Sequence, residues 1–194
     1  TPEEFRKVYL PFEMDAKIGK EGGDVATVSQ TGDFPESFDW RDKNAVTPVK
    51  NQGSCGCCWA DSAVQNIESV EFIHKNGTGS PQQLSVEQVI ECDAYDYACY
   101  GGYPSHAFHY IMDAGGLATE ESYKFDVAGH VICLANQTFN WTCGDGICDD
   151  PPLTGFCDLT CSDKNHTLVA SISSFVSLPE NENEIAQYVA TTNP

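Results

Sequence analysis

The chain has 194 residues, a hydrophobic fraction of 41% and ten cysteines. Its 10 basic against 29 acidic side chains leave a formal net charge of −19. That balance argues against nucleic acid and anionic membrane surfaces as partners, since both are held by basic faces. No apolar run approaches the roughly 18 residues of a membrane-spanning helix.

The sequence opens at Thr1 without a charged-then-apolar signal segment, as a processed or longer protein would. A short amphipathic stretch, "PEEFRKVYLPF", runs into "GKEGGDVATVSQTGD". The latter, rich in glycine and polar residues, reads as an exposed linker open to proteolysis. At Phe34 the texture changes to "FPESFDWRDKNAVTPVKNQG", where aromatic residues alternate with turn formers.

Trp59, Ala63, Ile67 and Val70 then recur at three- and four-residue steps, so a helix is expected from near Cys58 to before Gly77. Ser85 and Gln88 have the spacing of a capping box at the head of a second helix, "LSVEQVIEC". "PSHAFHYIMDA" is a third, with Pro104 at its start and Gly115 at its end. Residues 134–167 carry Cys143, Cys148, Cys157 and Cys161 among turn formers and read as a stapled insertion. "LVASISSFVSLP" reads as a strand, and "NENEIAQYVATT" as a helix capped by Asn181 with Glu184 three residues on. No internal repeat is present.

Cysteine usage separates compartments: a disulfide framework in an oxidising space, or a metal protein. Asn76, Asn136, Asn140 and Asn165 each open an N-x-[ST] sequon, which favours a glycosylated protein of the secretory pathway. Cys55, Cys57 and Cys58 lack a second paired cluster at zinc spacing, so neither metal nor cofactor is expected. A thiol at a helix start is a different matter. Unpaired N–H groups and the macrodipole there favour the thiolate, which is the nucleophile. Cys58 sits at that start. Gln52 offers a side-chain amide that, with the Cys58 backbone N–H, would form an oxyanion hole. From spacing alone, a nucleophile and a structural cysteine both remain open.

"PESFDWRDKNAVTPVKNQGSCGCCWADSAV" and "LSVEQVIECDAYDYACYGGYP" resemble the papain-like cysteine peptidases, cathepsins among them. The family signature C-G-[SA]-C-[WY] is met at all positions of Cys55-Gly56-Cys57-Cys58-Trp59 but one. The resemblance implies an α+β, two-domain papain-like fold. Residues 34–133 would form the mostly helical left domain, and 168–194 the first strand and helix of the right β-barrel domain. Residues 1–33 would be the tail of an inhibitory pro-segment, and 134–167 a glycosylated insertion.

It further implies Cys58 as nucleophile and Gln52 as oxyanion donor. Gly101 and Gly102 would hold a substrate chain by main-chain hydrogen bonds, and Tyr103 and Pro104 would line a side-chain pocket. Cys55 would pair with Cys99 and Cys92 with Cys133. The four insertion cysteines would pair among themselves, leaving Cys57 and Cys58 free. Implied partners are protein or peptide substrates, the pro-segment and cystatin-like inhibitors. The implied location is lysosomal, vacuolar or extracellular.

Two departures stand out. Cys57 replaces the usual Ser or Ala, as a small buried stand-in or as a redox partner of Cys58. Asp61 replaces an aromatic residue, which puts full activity in doubt. The family mechanism also needs a His and an Asn roughly 130–150 residues beyond the cysteine, whereas no His follows His166. His74, His106, His109, His130 and His166 read as helix-end, rim or loop residues. The expectation is an endopeptidase proenzyme fragment that is inactive alone. The alternative is a catalytically dead secreted homologue acting as a binding protein.

Overall fold

Trp59, Ala60, Ala63, Val64 and Ile67 form the buried stripe of α1 (Cys58–His74), and the periodicity that announced the helix is the face that packs. In the computed structural model, which describes residues 1–3, 23–28, 35–53, 55–126 and 166–194, α1 packs on α2 (Val86–Cys92) and α3 (Pro104–Ala114). These two helices also pack on each other. Val64, Val89, Ile111 and Leu117 are fully enclosed where they meet. Burial of each such side chain is worth about 1.5–3 kcal/mol.

Local chemistry sets the helix ends. Ser85 Oγ accepts from Gln88 N at 3.0 Å, so the cap of α2 is made as its spacing predicts. The reciprocal half of the box is not made. Gln88 turns inward instead, fully buried, and donates through Nε2 to Gly116 O (3.1 Å) and Tyr110 Oη (3.2 Å). Its Oε1 accepts from Ala118 N at 2.8 Å. A buried amide must satisfy both ends, and the turn after α3 can do so where the Ser85 N–H, bonded to Ala118 O, cannot. Pro104 opens α3, and Gly115, at φ 83°, closes it in the left-handed region.

The expected strand over 168–179 is largely absent. Only β2 (Val176–Ser177) is a strand, paired in parallel with β1 (Asp24–Val25), while Ala170 makes an isolated bridge to Leu117. The helix that follows, α4 (Glu182–Thr191), is capped by Asn181, whose side chain accepts from Asn183 N and Glu184 N. Trp40, in the 3-10 turn Trp40–Lys43, donates to Val189 O at 2.8 Å, and Asn66 of α1 donates to Pro194 O at 2.8 Å. These bonds fasten the last helix to the helical core. Residues 134–165 of the insertion, with its four cysteines and Asn136, Asn140 and Asn165, lie outside the described residues, as do Cys133, His130 and most of 1–33.

Candidate active site

Cys58 is the first residue of α1, and it is exposed and free; Cys57, one residue earlier, is free but buried at 1% exposure. No side chain caps this helix end, which leaves its first N–H groups directed toward the position an anion would take. Burial, then the neighbouring Asp61 carboxylate, pushes the Cys57 thiol up to about 12. Cys57 is therefore a neutral packing group near neutral pH, as the reading of a small buried stand-in expects.

The loop before the helix is held from two sides. Cys55 is bonded to Cys99, and Gly56 N donates to Cys99 O at 2.8 Å. A Cβ on Gly56 would stand 2.6 Å from that carbonyl oxygen, so only glycine allows this approach. Gln52 folds back over the same loop and donates through Nε2 to Cys55 O at 2.7 Å. An amide nitrogen carries two hydrogens, and this bond uses one of them. Cys92 is also disulfide-bonded; its expected partner, Cys133, is outside the described residues.

The backbone expected to hold a substrate chain lies on the other side of the bridge. Gly101 has φ 117°, a backbone conformation suited to glycine. Gly102 is buried, and a Cβ there would meet Trp59 Cδ2 at 2.5 Å and Asp96 Cγ at 2.7 Å. Trp59, next to Cys58, donates through Nε1 to Ala98 O at 3.0 Å, which links the helix start to this loop. Tyr103 is half-buried and Pro104 exposed at the head of α3. The bridge and the Trp59 bond thus join the Cys58 end of α1 to the loop that carries Gly101–Pro104.

Asp61 sits in the first turn of α1, where it accepts from Gln65 Nε2 at 2.8 Å, with Lys50 Nζ 4.0 Å from its other oxygen. With Cys57, Gln52, Lys50, Glu120 and Phe125 it lines a cavity of about 240 Å³ that Cys58 does not line. The described histidines are engaged elsewhere or far along the helix: His106 with Asp96, His109 with Phe175, His166 with Tyr123, and His74 at the far end of α1. Among the described residues no group of three or more His, Cys, Asp or Glu could hold a metal ion. No described helix is long and apolar enough to cross a membrane. Asn76, exposed after α1 at φ 47°, is an accessible sequon.

Sequence reasoning missed a buried polar cluster beside the glycines. Asp96, 4% exposed, accepts from Tyr103 N (3.0 Å) and lies 3.1 Å from His106 Nδ1 through the same oxygen, Oδ1. His106, expected as a surface or rim residue, is half-buried and paired. The only available signal was the acidic run between Cys92 and Cys99, which reads equally well as a solvated loop.

A helix that presents a free thiol at its N-terminus, with the loop before it tied by a disulfide to a loop that carries two glycines, is an architecture suited to thiol nucleophile chemistry. The profile of papain family cysteine proteases matches residues 34–194. Mouse cathepsin F is 33% identical over 194 residues, covering 100% of this chain and 35% of that protein. The probable cysteine protease RD19C of Arabidopsis thaliana is 32% identical over 203 residues, with 100% and 46% covered. The digestive procathepsin L2 proteinase from Tenebrio molitor larval midgut superposes with a TM-score of 0.70 at 32% identity, covering 100% of this chain and 54% of that one. The chain belongs to the papain family of cysteine proteases, with an α+β fold of papain type in which the helical domain dominates. It spans less than half the length of these two curated relatives.

Proposed function

We propose that this chain carries the nucleophilic half of a cysteine endopeptidase. Cys58 attacks a peptide carbonyl, the Gln52 amide and the Cys58 N–H stabilise the oxyanion, and water later releases the acyl group. The observation that carries this reading is the pair of adjacent thiols with opposite fates, Cys58 exposed at the first turn of α1 and Cys57 buried beneath it. Gly101 and Gly102 present backbone to the substrate chain, and Tyr103 and Pro104 flank a side-chain pocket. Residues 34–133 form the left domain, 134–167 an insertion, and 168–194 the start of the right domain. Residues 1–33 serve as the end of a pro-segment, a role supported by the pairing of Asp24–Val25 with Val176–Ser177.

The general base is not among the described histidines, all of which have other neighbours or stand at the far end of α1. The described part of the chain thus holds the thiol without its base, and peptide turnover waits on an imidazole outside the described residues. The Cys55–Cys99 bridge and the exposed Asn76 support a secretory, lysosomal, vacuolar or extracellular location. Cystatin-like inhibitors belong to the same reading.

A binding protein without catalysis is the competing reading, favoured by Asp61 and its cavity in place of an aromatic side chain. A peptidyl epoxide decides between them when applied to the protein extended by its downstream polypeptide. Labelling of Cys58 that disappears in Cys58→Ser supports the endopeptidase. An unlabelled, folded protein supports the binding protein. Peptide turnover by residues 1–194 alone would contradict the incomplete-site reading.

A further inference from the structure

The cavity beside the start of α1 is lined by Cys57 and Gln52 but not by Cys58, and its volume is about 240 Å³. That is far more than the roughly 10–15 Å³ that admits one water. Two carboxyl groups belong to its wall, Asp61 from the first turn of α1 and Glu120 from the turn after α3. Each uses one oxygen within the protein: Asp61 Oδ2 accepts from Gln65 Nε2 at 2.8 Å, and Glu120 Oε1 from Phe125 N at 3.1 Å. The second oxygen of each, Asp61 Oδ1 and Glu120 Oε2, is buried and has no hydrogen-bond donor. A buried charged acceptor without a donor is unfavourable, and two such residues line one space.

The lysine in the wall does not answer them. Lys50 Nζ is bonded to Glu68 Oε1 at 2.7 Å and stands 4.0 Å from Asp61 Oδ1, beyond hydrogen-bond reach. Since Glu68 already holds that cation, the wall has no free positive group for an anion. A metal ion is not suited either, because among the described residues no group of three or more His, Cys, Asp or Glu could hold one. Val86 and Cys57, 4% and 1% exposed, and the half-buried Phe125 give the cavity an apolar side. Asn51 and Gln83, also in the wall, are exposed and leave it a way in from solvent. The family resemblance puts an aromatic ring where Asp61 stands. The shorter carboxylate occupies less of that space and brings a charge the ring lacks.

We propose that this cavity is a binding site for a small organic cation, a primary alkylammonium ion, whose N–H groups are accepted by Asp61 Oδ1 and Glu120 Oε2 while its apolar body lies against Val86 and Phe125. An ammonium group has three donors and no acceptor, which matches a wall of unanswered acceptors. Burial raises the Glu120 carboxyl, as it does any anion kept from water, and an ammonium bound beside it lowers it again. The site depends on neither reading of the function. Gln52 belongs both to this wall and to the proposed oxyanion hole, so its side-chain amide reports the occupant.

The test is a titration of isotopically labelled residues 1–194, folded and oxidised, with n-butylammonium chloride at neutral pH and constant ionic strength. NMR follows the carboxyl shifts of Asp61 and Glu120 and the side-chain amide of Gln52, with the exposed Asp42 carboxyl as control. Saturable shifts are expected at the first three and none at Asp42. n-Butanol has the same body without the charge and should bind at least about tenfold more weakly. Asp61→Asn and Glu120→Gln keep the volume and each remove one charge. Each should weaken the ammonium by about tenfold or more and leave butanol unchanged. The two positions lie on separate segments, so if one variant fails to fold the other decides. Equal affinity for butanol, unsaturable shifts that sodium chloride reproduces, or unchanged ammonium affinity in a folded variant overturns the site. Saturation by calcium chloride and not by butylammonium overturns it in favour of a metal. Peptidyl epoxide labelling of Cys58 in the extended protein tests the endopeptidase reading separately, and neither of its results alters this one.

Discussion

Glu68 is the least solvated charge in the described structure, and its removal should nearly unfold the helical domain. Its side chain is fully buried in the middle of α1. Oε1 accepts from Lys50 Nζ at 2.7 Å and from Leu84 N at 2.7 Å, and Oε2 from Thr47 Oγ1 at 2.5 Å. Glu68→Ala removes the close carboxylate from the Lys50 cation, which is 17% exposed and keeps only Asp61 at 4.0 Å, at a cost of about 3–5 kcal/mol. It also leaves the Leu84 N–H without an acceptor, worth about 1–3 kcal/mol. The sum reaches the lower end of the roughly 5–15 kcal/mol that holds a domain together. Lys50→Met should cost about 3 kcal/mol by leaving the carboxylate unpaired. The double variant should cost clearly less than the two singles added, since the partners touch. Urea unfolding followed by tryptophan fluorescence reads all three as midpoint shifts at constant slope. A Glu68→Ala cost below about 1 kcal/mol, or strict additivity, would refute the argument that this carboxylate is satisfied by those three donors.

Four further outcomes follow from particular contacts. Reducing or replacing the Cys55–Cys99 bridge, which spans 44 positions, should destabilise the chain by about 4 kcal/mol through loop closure, measured as the wild-type against Cys55→Ser/Cys99→Ser difference in unfolding. Gly102→Ala should cost about 1–3 kcal/mol, because its Cβ would collide with Trp59 and Asp96; an unchanged melting curve would contradict that packing. Cys57 keeps its proton in the fold from its ordinary 9.0 up to about 12, so its contribution to stability is complete below 9.0 and declines above it. The wild type should therefore lose about 1.4 kcal/mol relative to Cys57→Ser between pH 8 and pH 10. Asn181→Ala should remove the cap of α4 at about 1 kcal/mol, seen as reduced amide protection at Asn183 and Glu184.

The helices were legible because their causes are local. Trp59, Ala63 and Ile67 mark the buried face of α1, Ser85 caps α2, Pro104 and Gly115 bracket α3, and Asn181 caps α4. The stretch 168–179 was not legible as it stands, because a strand exists only where a partner lies beside it. Its β-branched content says nothing of partners, and only Ala170 and Val176–Ser177 find one. Leu168, Val169 and Val176 remain 37%, 38% and 46% exposed, so the apolar pattern there overstates burial. At the site, the family motif gave Cys58, Gln52 and the glycines, and the Cys55–Cys99 bond matches the pairing the resemblance implied. Sequence alone could not show that Asp96 and His106 meet, since that contact joins a loop to a helix that begins after it.

The account turns on which of two adjacent sulfurs is the reagent. Residues 1–194, folded and oxidised, should be treated with iodoacetamide at neutral pH and mapped by tandem mass spectrometry. Alkylation of Cys58 with Cys57 untouched is the predicted result, following from exposed and buried thiols one residue apart. Modification of Cys57 first, or a Cys58 found tied in a disulfide, would contradict it.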